Sequence, residues 1–276
     1  MGNRARIRRD AMSLNPIDDA LFQKMAEDTG FCQEILQVIL DNKQLIVLNT
    51  NSQFASKNLQ GRSCMLDAKC QLEDGRIVNI EVQRADDDDH QRRVRYNGAL
   101  LTTNFTNPST KFAEIPDVIV VFISKFDVFK SSRPLYHIDR VISETGKSVD
   151  NGFEEVYVNA EIDDDSDVAR LMNVFNTDTA YDDVKFPVTS AYKRRYKTTE
   201  EGVREMCEVI ERNRAEGRAE GRAEGRAEGR AIGLIEGRAE LITNMLKNQM
   251  KPEQIAKIAN MTVEQIISIG KKAAVL

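Results

Sequence analysis

The apolar positions of this chain change period several times, and each change marks an element. Over Asn15–Asp28, Ile17, Leu21, Phe22 and Met25 recur at helical spacing. Pro16 suits a first helical turn, and Asn15 or Ser13 can cap it. Asp18 and Asp19 fall where carboxylates complement the helix dipole. Ile35, Leu36 and Ile39 predict a second helix over Phe31–Leu40, and Leu45–Leu48 reads as a short strand. The period then drops to two. Cys64–Leu72 and Arg76–Arg84 alternate on either side of Asp74-Gly75, which is a strong hairpin signal. In the second run Asn79, Glu81 and Gln83 share one face, and Val78, Ile80 and Val82 share the other. A strand that is apolar on one side and carries a carboxylate and an amide on the other has the pattern of an active-site edge. Folding back at the turn brings Asp67 near Glu81 and Gln83.

A helix is predicted over Arg92–Asn104, with Val94, Leu100 and Leu101 near one face and Tyr96 at its side. Asp117–Ser124, DVIVVFIS, is almost continuously β-branched, as expected of a strand buried on both faces. Pro134–Val141 and Glu154–Asn159 read as further strands, and Asp167–Phe175 as a helix. Helix, hairpin, helix and buried strand in that order give an α/β fold with a mixed sheet.

The pattern breaks near Glu200. Glu200–Arg214 is a charged helix, after which AEGR repeats four times over Ala215–Arg230 and returns in part at Glu236–Glu240. Glycine at every fourth position costs a helix about 1 kcal/mol each relative to alanine. Opposite charges stand only two residues apart, so helical ion pairing gains nothing. The repeat is expected to be a marginal helix or a spacer. Leu241–Leu276 reads as a small helical tail with helices over Pro252–Ala259 and Thr262–Ile269. Gly270 is expected to end the second. Ile255, Ile258, Met261, Val263, Ile266 and Ile267 supply a shared seam. This is the pattern of the first two helices of a helix-turn-helix, with support to come from Ala239–Asn248. The expected organisation is a basic N-terminal arm over 1–14, an α/β domain over 15–199, a charged helix and spacer over 200–240, and the tail over 241–276.

A chain of 276 residues accommodates one such domain and an appendage. Its net charge of −5 argues against a general basic coat but not against local basic surfaces. Basic residues cluster at Arg4, Arg6, Arg8 and Arg9, at Arg92, Arg93 and Arg95, and at Lys193, Arg194, Arg195 and Lys197. The second cluster lies just downstream of the carboxylates. The four cysteines form no C-x-x-C pair and only two histidines accompany them, which argues against zinc. No apolar run follows the basic first ten residues, and Val118–Ile123 is too short to span a bilayer. The expectation is a cytoplasmic protein with reduced thiols and no membrane association.

Asp67 and Glu81 are the oxygen ligands that a hard cation such as Mg²⁺ takes from a protein. Such an ion binds a scissile phosphate, lowers the pKa of a water and offsets charge on the leaving oxygen. Gln83 can orient water or offer its carbonyl oxygen, but as a neutral amide it cannot act as a general base. Asp86–Asp89 read as a solvated acidic loop.

The chain order adds a family. D-x-x-F (Asp19 to Phe22), LDA with Asp67, the DG hairpin and IEVQ are followed by QRRVRYNGALLTTNF, PDVIVVFISKFDVF, RPLYHIDR and KFPVTSAYKRRYK. Together these resemble the PD-(D/E)XK nuclease superfamily over Ile17–Lys197, and most closely its PD-(D/E)XK nuclease family transposases, related to the Rpn recombination-promoting nucleases. The AEGR tail is common in that branch. The resemblance implies a restriction-endonuclease-like mixed sheet flanked by helices, with a helical C-terminal tail. It implies a metal-dependent DNA endonuclease that hydrolyses phosphodiesters with metal-activated water and promotes recombination or transposition. By this resemblance Asp67 is the motif aspartate and Glu81 the acidic member of (D/E)-x-K. Gln83 stands where most members have lysine. Lys69, two residues from Asp67, is the candidate to replace that lysine, and Arg93 or Arg95 to stabilise the charge of the transition state. Asp19 resembles the acidic residue of the first helix that helps hold the metal. Arg92, Arg93, Arg95 and Tyr96 match the helix after the catalytic strand and are the expected DNA contacts. The implied cofactor is Mg²⁺, with Mn²⁺ as substitute. The expected partners are DNA and a second copy of the chain, met through the C-terminal helical region. The alternative reading is a DNA-binding or self-associating module with weak or no catalysis, for which Gln83 would be the sign of lost chemistry.

Overall fold

The computed structural model describes residues 3–56 and 64–273, without the side chains of Asn3, Glu220 and Glu224. The chain divides into two units, Met1–Glu211 and Arg212–Leu276.

The first unit is built on a six-stranded mixed sheet in the order β1-β2-β3-β4-β8-β5. β1 (Val47–Ser56), β2 (Cys64–Leu72) and β3 (Ile77–Gln83) form an antiparallel meander. α4 (His90–Asn104) then carries the chain over one face, so that β4 (Val118–Ser124) pairs parallel with β3. A parallel neighbour needs such a crossover. β5 (Leu135–Ile138) forms one edge, and β6 (Arg140–Val141) and β7 (Ser148–Val149) make a separate ribbon. β8 (Phe153–Asn159) returns parallel to β4. The β2–β3 turn is the one the sequence predicted. Gly75 takes φ +90° there, and Leu72 and Arg76 close the hairpin, with the Leu72 N–H 2.9 Å from the Arg76 oxygen.

All seven residues of β4 are buried, because both of its faces are covered. Ile119, Val121 and Ile123 join Val78, Ile80 and Val82 in the larger core. Packed on that face are α2 (Asp19–Met25), α3 (Thr29–Ile39), α5 (Asp167–Asn176), α6 (Pro187–Thr198) and the first turns of α7 (Glu200–Lys247). Val118, Val120 and Phe122 face the other way, onto Val94 and Leu101 of α4. The expected α/β fold is therefore present, and the expected helices and strands need local corrections.

The helix expected over Asn15–Asp28 is broken at its start. Asp18 stands immediately before α2, and its carboxylate accepts the Asn15 N–H at 2.7 Å, so neither Ser13 nor Asn15 caps that helix. Asp28 ends the segment by capping α3 through the Phe31 N–H at 2.9 Å. β1 is far longer than the short strand expected at Leu45–Leu48. Upstream, Asn3–Ser13 form a helix, α1, with Ile7 and Ala11 buried in the main core.

The basic cluster at 193–197 is not a uniformly solvated surface. It lies in α6, and Lys193 is fully buried. The Lys193 ammonium donates to the carbonyls of Val174 (2.9 Å), Thr177 (2.6 Å) and Ala180 (2.9 Å), closing the end of α5 and the turn beyond it. Burial, helped by the charge of Lys197, lowers its pKa to about 8. Lys197 holds the Leu14 carbonyl at 2.6 Å. Arg194 and Arg195 remain at the surface, paired with Asp183 and Glu205. Lys193→Met takes the ammonium away from three carbonyls, of which that of Thr177 keeps the Ala180 N–H at 3.1 Å, and is expected to cost about 3 kcal/mol in urea unfolding. A loss under about 1 kcal/mol would contradict this capping role.

In the second unit the AEGR repeat is helical, as part of α7. The tail contains α8 (Pro252–Ala259) and α9 (Val263–Lys272). Thr262 and Gln265 form a capping box at the start of α9. The expected seam is partly right: Ile255 and Ile266 are buried with Ile242 and Leu246 of α7, and Met261 and Val263 pack against them. Ile258 is not in it, being 62% exposed. Gly270 does not end the second helix; it is buried inside α9. Among the described residues no helix is long and apolar enough to cross a membrane.

Candidate active site

The hairpin delivers its polar face as the sequence predicted. Asn79 and Glu81 are both buried, and the Asn79 amide donates to Glu81 Oε1 at 2.8 Å. Asn79 Oδ1 is buried with no hydrogen-bond partner among the described residues. Val78, Ile80 and Val82 go to the opposite core. Across the hairpin the β2–β3 register runs as far as Ala68 opposite Ile80, so Asp67 and Glu81 stand one step beyond it. There the strand changes character. Leu66 joins the cluster under α4 whereas Ala68 joins the other core, so β2 is wrung at Asp67. Gln53, on the neighbouring strand, has φ +51°. Asp67 turns its carboxylate across to β3 and accepts the Val82 N–H at 2.9 Å.

Two buried carboxylates now lie side by side. Burial, and after it the charge of Glu81, pushes the Asp67 pKa well above the usual carboxylate range, against the Val82 hydrogen bond. Burial raises Glu81 too, opposed by the Asn79 hydrogen bond and the charge of Arg93. Asp19 opens α2 with much of its surface in solvent. Desolvation of its carboxyl, followed by the charge of Asp18, raises its pKa, and Arg93 and Arg84 oppose the rise. Asp19 also raises Asp67. The three carboxylates thus share one electrostatic neighbourhood. Among the described residues, however, no three His, Cys, Asp or Glu side chains converge tightly enough to hold a metal ion. Asp67 and Glu81 are a pair, and Asp19 is a charged neighbour to it.

Arg93, from the second turn of α4, is the cation of the site. Its guanidinium donates to Gln83 Oε1 at 2.9 Å and to Glu81 Oε2 at 3.2 Å. Gln83 is held in turn, its amide donating to the Ala85 carbonyl at 2.9 Å and to Asp87 at 3.2 Å. α4 is placed by Asp89, which caps it through the Arg92 N–H at 3.1 Å. Asp86 pairs with His90 at 3.1 Å. The exposed acidic loop therefore fixes the start of α4.

The structure separates the remaining candidates from this group. Lys69 lies over the rings of Phe105 and Phe54, 4.7 and 5.4 Å from their centroids, and makes no ion pair among the described residues. Burial lowers its pKa. Arg92 and Arg95 are exposed, and with Tyr96 they line a cleft of about 540 Å³ that also reaches Arg93 and Asp89. Arg92 pairs with Asp89 at 3.2 Å. Sequence reasoning placed Asp18 only as a helix-dipole carboxylate and missed its ion pair with Arg84 beside Asp19. Their 66-residue separation leaves no local signal.

A model of the family described as PD-(D/E)XK nuclease family transposase matches residues 20–166. The matched stretch contains Asp67, Glu81, Gln83 and Arg93, and begins one residue after Asp19. No curated protein and no solved structure matches the chain.

Proposed function

Because the chain belongs to the PD-(D/E)XK nuclease family transposases, we propose that Asp67, Glu81, Gln83 and Arg93 form the centre of a metal-dependent DNA endonuclease. The observation that carries this reading is Arg93 bridging Glu81 and Gln83. The family motif expects a lysine at the Gln83 position, and Gln83 has no charge to give. Docked on the Gln83 amide oxygen, Arg93 brings a permanent positive charge to the same place.

The donor set fits a hard divalent cation. Mg²⁺ takes one or two protein carboxylates and keeps several waters, so a third protein ligand is not needed. Burial raises the pKa of both carboxylates and the charge of Glu81 adds to the rise at Asp67, a cost that a bound cation would relieve. Asp67 and Glu81 would hold it, with Asp19 supplying outer negative charge. When bound, the ion would polarise a phosphate oxygen and acidify a water. The chain's own residues do the rest. The Val82 N–H fixes the Asp67 carboxylate, and the Asn79 amide fixes that of Glu81. Gln83 orients Arg93, whose remaining N–H groups have no further hydrogen bond among the described residues and would meet a phosphate as negative charge builds on it. Arg92, Arg95 and Tyr96 line the cleft that leads to this point and receive the DNA backbone. Lys69, held by aromatic rings, takes no part in this scheme. Neither recombination nor strand transfer is needed to account for these groups; they constitute a hydrolytic centre.

The test is plasmid nicking with Mg²⁺ or Mn²⁺ against EDTA. Nicked or linear product is expected only with metal. DNA binding without cleavage under either metal would overturn the proposal in favour of a non-catalytic binding module.

A further inference from the structure

α1 carries Arg4, Arg6, Arg8 and Arg9 within one helix, and all four are exposed. Among the described residues none forms an ion pair, although Arg4 and Arg8 line a cleft of about 480 Å³ together with Glu208 and Glu211. The helix itself is held firmly. Ile7 and Ala11 are 3% and 1% exposed, buried in the main core. Its exit is pinned as well: the Lys197 ammonium bonds the Leu14 carbonyl at 2.6 Å and the Asn15 side chain at 3.2 Å, and Asp18 accepts the Asn15 N–H. Asp19, the acidic neighbour of Asp67, follows directly.

A basic tail on a flexible arm needs no special account in water. Four guanidinium groups without ion pairs on a docked helix are different, because the fold has already fixed where they stand. The chain as a whole is acidic, with net charge −5, so the concentration of positive charge is local. Along the helix axis Arg4 and Arg9 are separated by about 7.5 Å. Arg6 and Arg9, three residues apart, share one side of α1, and Arg4 and Arg8, four apart, share another beside Glu208 and Glu211, so the two pairs can reach phosphates on either side of the helix. Arginine is suited to that contact through its planar fork of donors.

We propose that α1 is a second nucleic-acid contact, with Arg4, Arg6, Arg8 and Arg9 binding the phosphate backbone of duplex DNA beside the cleavage site. The inference rests on the nuclease reading above and extends it to a surface outside the cleft along α4. Such contacts carry no base information; they set register and strengthen binding through counterion release.

The experiment measures binding of the full chain to a fluorescent duplex in EDTA, as a function of NaCl, for wild type and for the variant with all four arginines changed to glutamine. Ile7 and Ala11 are untouched, so the helix keeps its anchors. The slope of log K against log salt is expected to shrink by about 2 to 4, at roughly 0.9 for each phosphate that the variant no longer neutralises. The matching four-lysine variant is expected to restore the slope, since counterion release needs charge rather than the guanidinium shape. A glutamine variant whose slope equals that of wild type, with a wild type that still cleaves plasmid, overturns the α1 contact alone. A wild type that neither binds nor cleaves overturns the nuclease reading with it. If the glutamine variant keeps the duplex slope but loses binding to phosphatidylserine–phosphatidylcholine vesicles, the surface serves a membrane and the inference fails.

Discussion

Asp67→Ala and Glu81→Ala should each reduce metal-dependent DNA cleavage by at least about a thousand-fold, the several kcal/mol that a bound metal supplies to a phosphoryl transition state. The paired burial of the two carboxylates makes this loss separable from misfolding. Each is desolvated, and the charge of Glu81 further destabilises the ionised form of Asp67. Asp67→Asn keeps an oxygen to accept the Val82 N–H and removes one of two neighbouring charges. In EDTA its melting temperature should therefore equal or exceed that of wild type, while its nicking activity is lost. Millimolar Mn²⁺ should raise the melting temperature of wild type but not of this variant, since only a folded site with both carboxylates gains from the ion. Full activity in either alanine variant would remove the hairpin from the catalytic account.

Arg93→Gln should lower the single-turnover cleavage rate by about a hundred-fold, the usual effect of deleting one preorganised donor at developing charge. Arg93→Lys should recover little of this. An ammonium is a point charge and cannot repeat the fork that reaches Glu81 and Gln83 together. Arg92→Gln is the control from the same helix. Arg92 is exposed and pairs with Asp89, away from the two carboxylates, so its loss should weaken DNA binding and leave the saturated rate close to wild type. If Arg93→Gln and Arg92→Gln behave alike, Arg93 is only a backbone contact and Gln83 has no working substitute for the missing lysine.

The parts of this molecule legible in the sequence were those governed by short-range geometry. Asp74-Gly75 and the period-two runs beside it fixed the hairpin, because face alternation follows from the backbone alone. Glu81, Asn79 and Gln83 fell on one face for the same reason. DVIVVFIS declared a strand buried on both sides, and β4 is that strand. Parity failed where long side chains and irregular backbone intervene. Lys69 shares the parity of Asp67, yet its four-carbon stem carries the ammonium to Phe54 and Phe105 on other elements. Leu66 and Ala68 share parity too, yet pack on opposite sides of the sheet, since β2 is wrung at Asp67. The Arg93–Gln83 bond links a strand to the following helix and has no pattern of its own. α1 and α6 were missed because each buries only a few apolar residues in a strongly basic sequence. Among the described residues Ile7 and Ala11 are what α1 buries in the main core, and Lys193, one of a basic cluster in the sequence, is the buried cap of α5. The AEGR repeat predicts a marginal helix or a spacer, and α7 carries it as helix.

The central claim is that Asp67 and Glu81 hold the divalent ion that drives cleavage. It is tested most directly by anomalous diffraction from crystals of the full chain soaked in Mn²⁺. An ion bonded to carboxylate oxygens of both Asp67 and Glu81 is the predicted result. A pair left without an ion at millimolar Mn²⁺, in protein that still cleaves DNA, would contradict it.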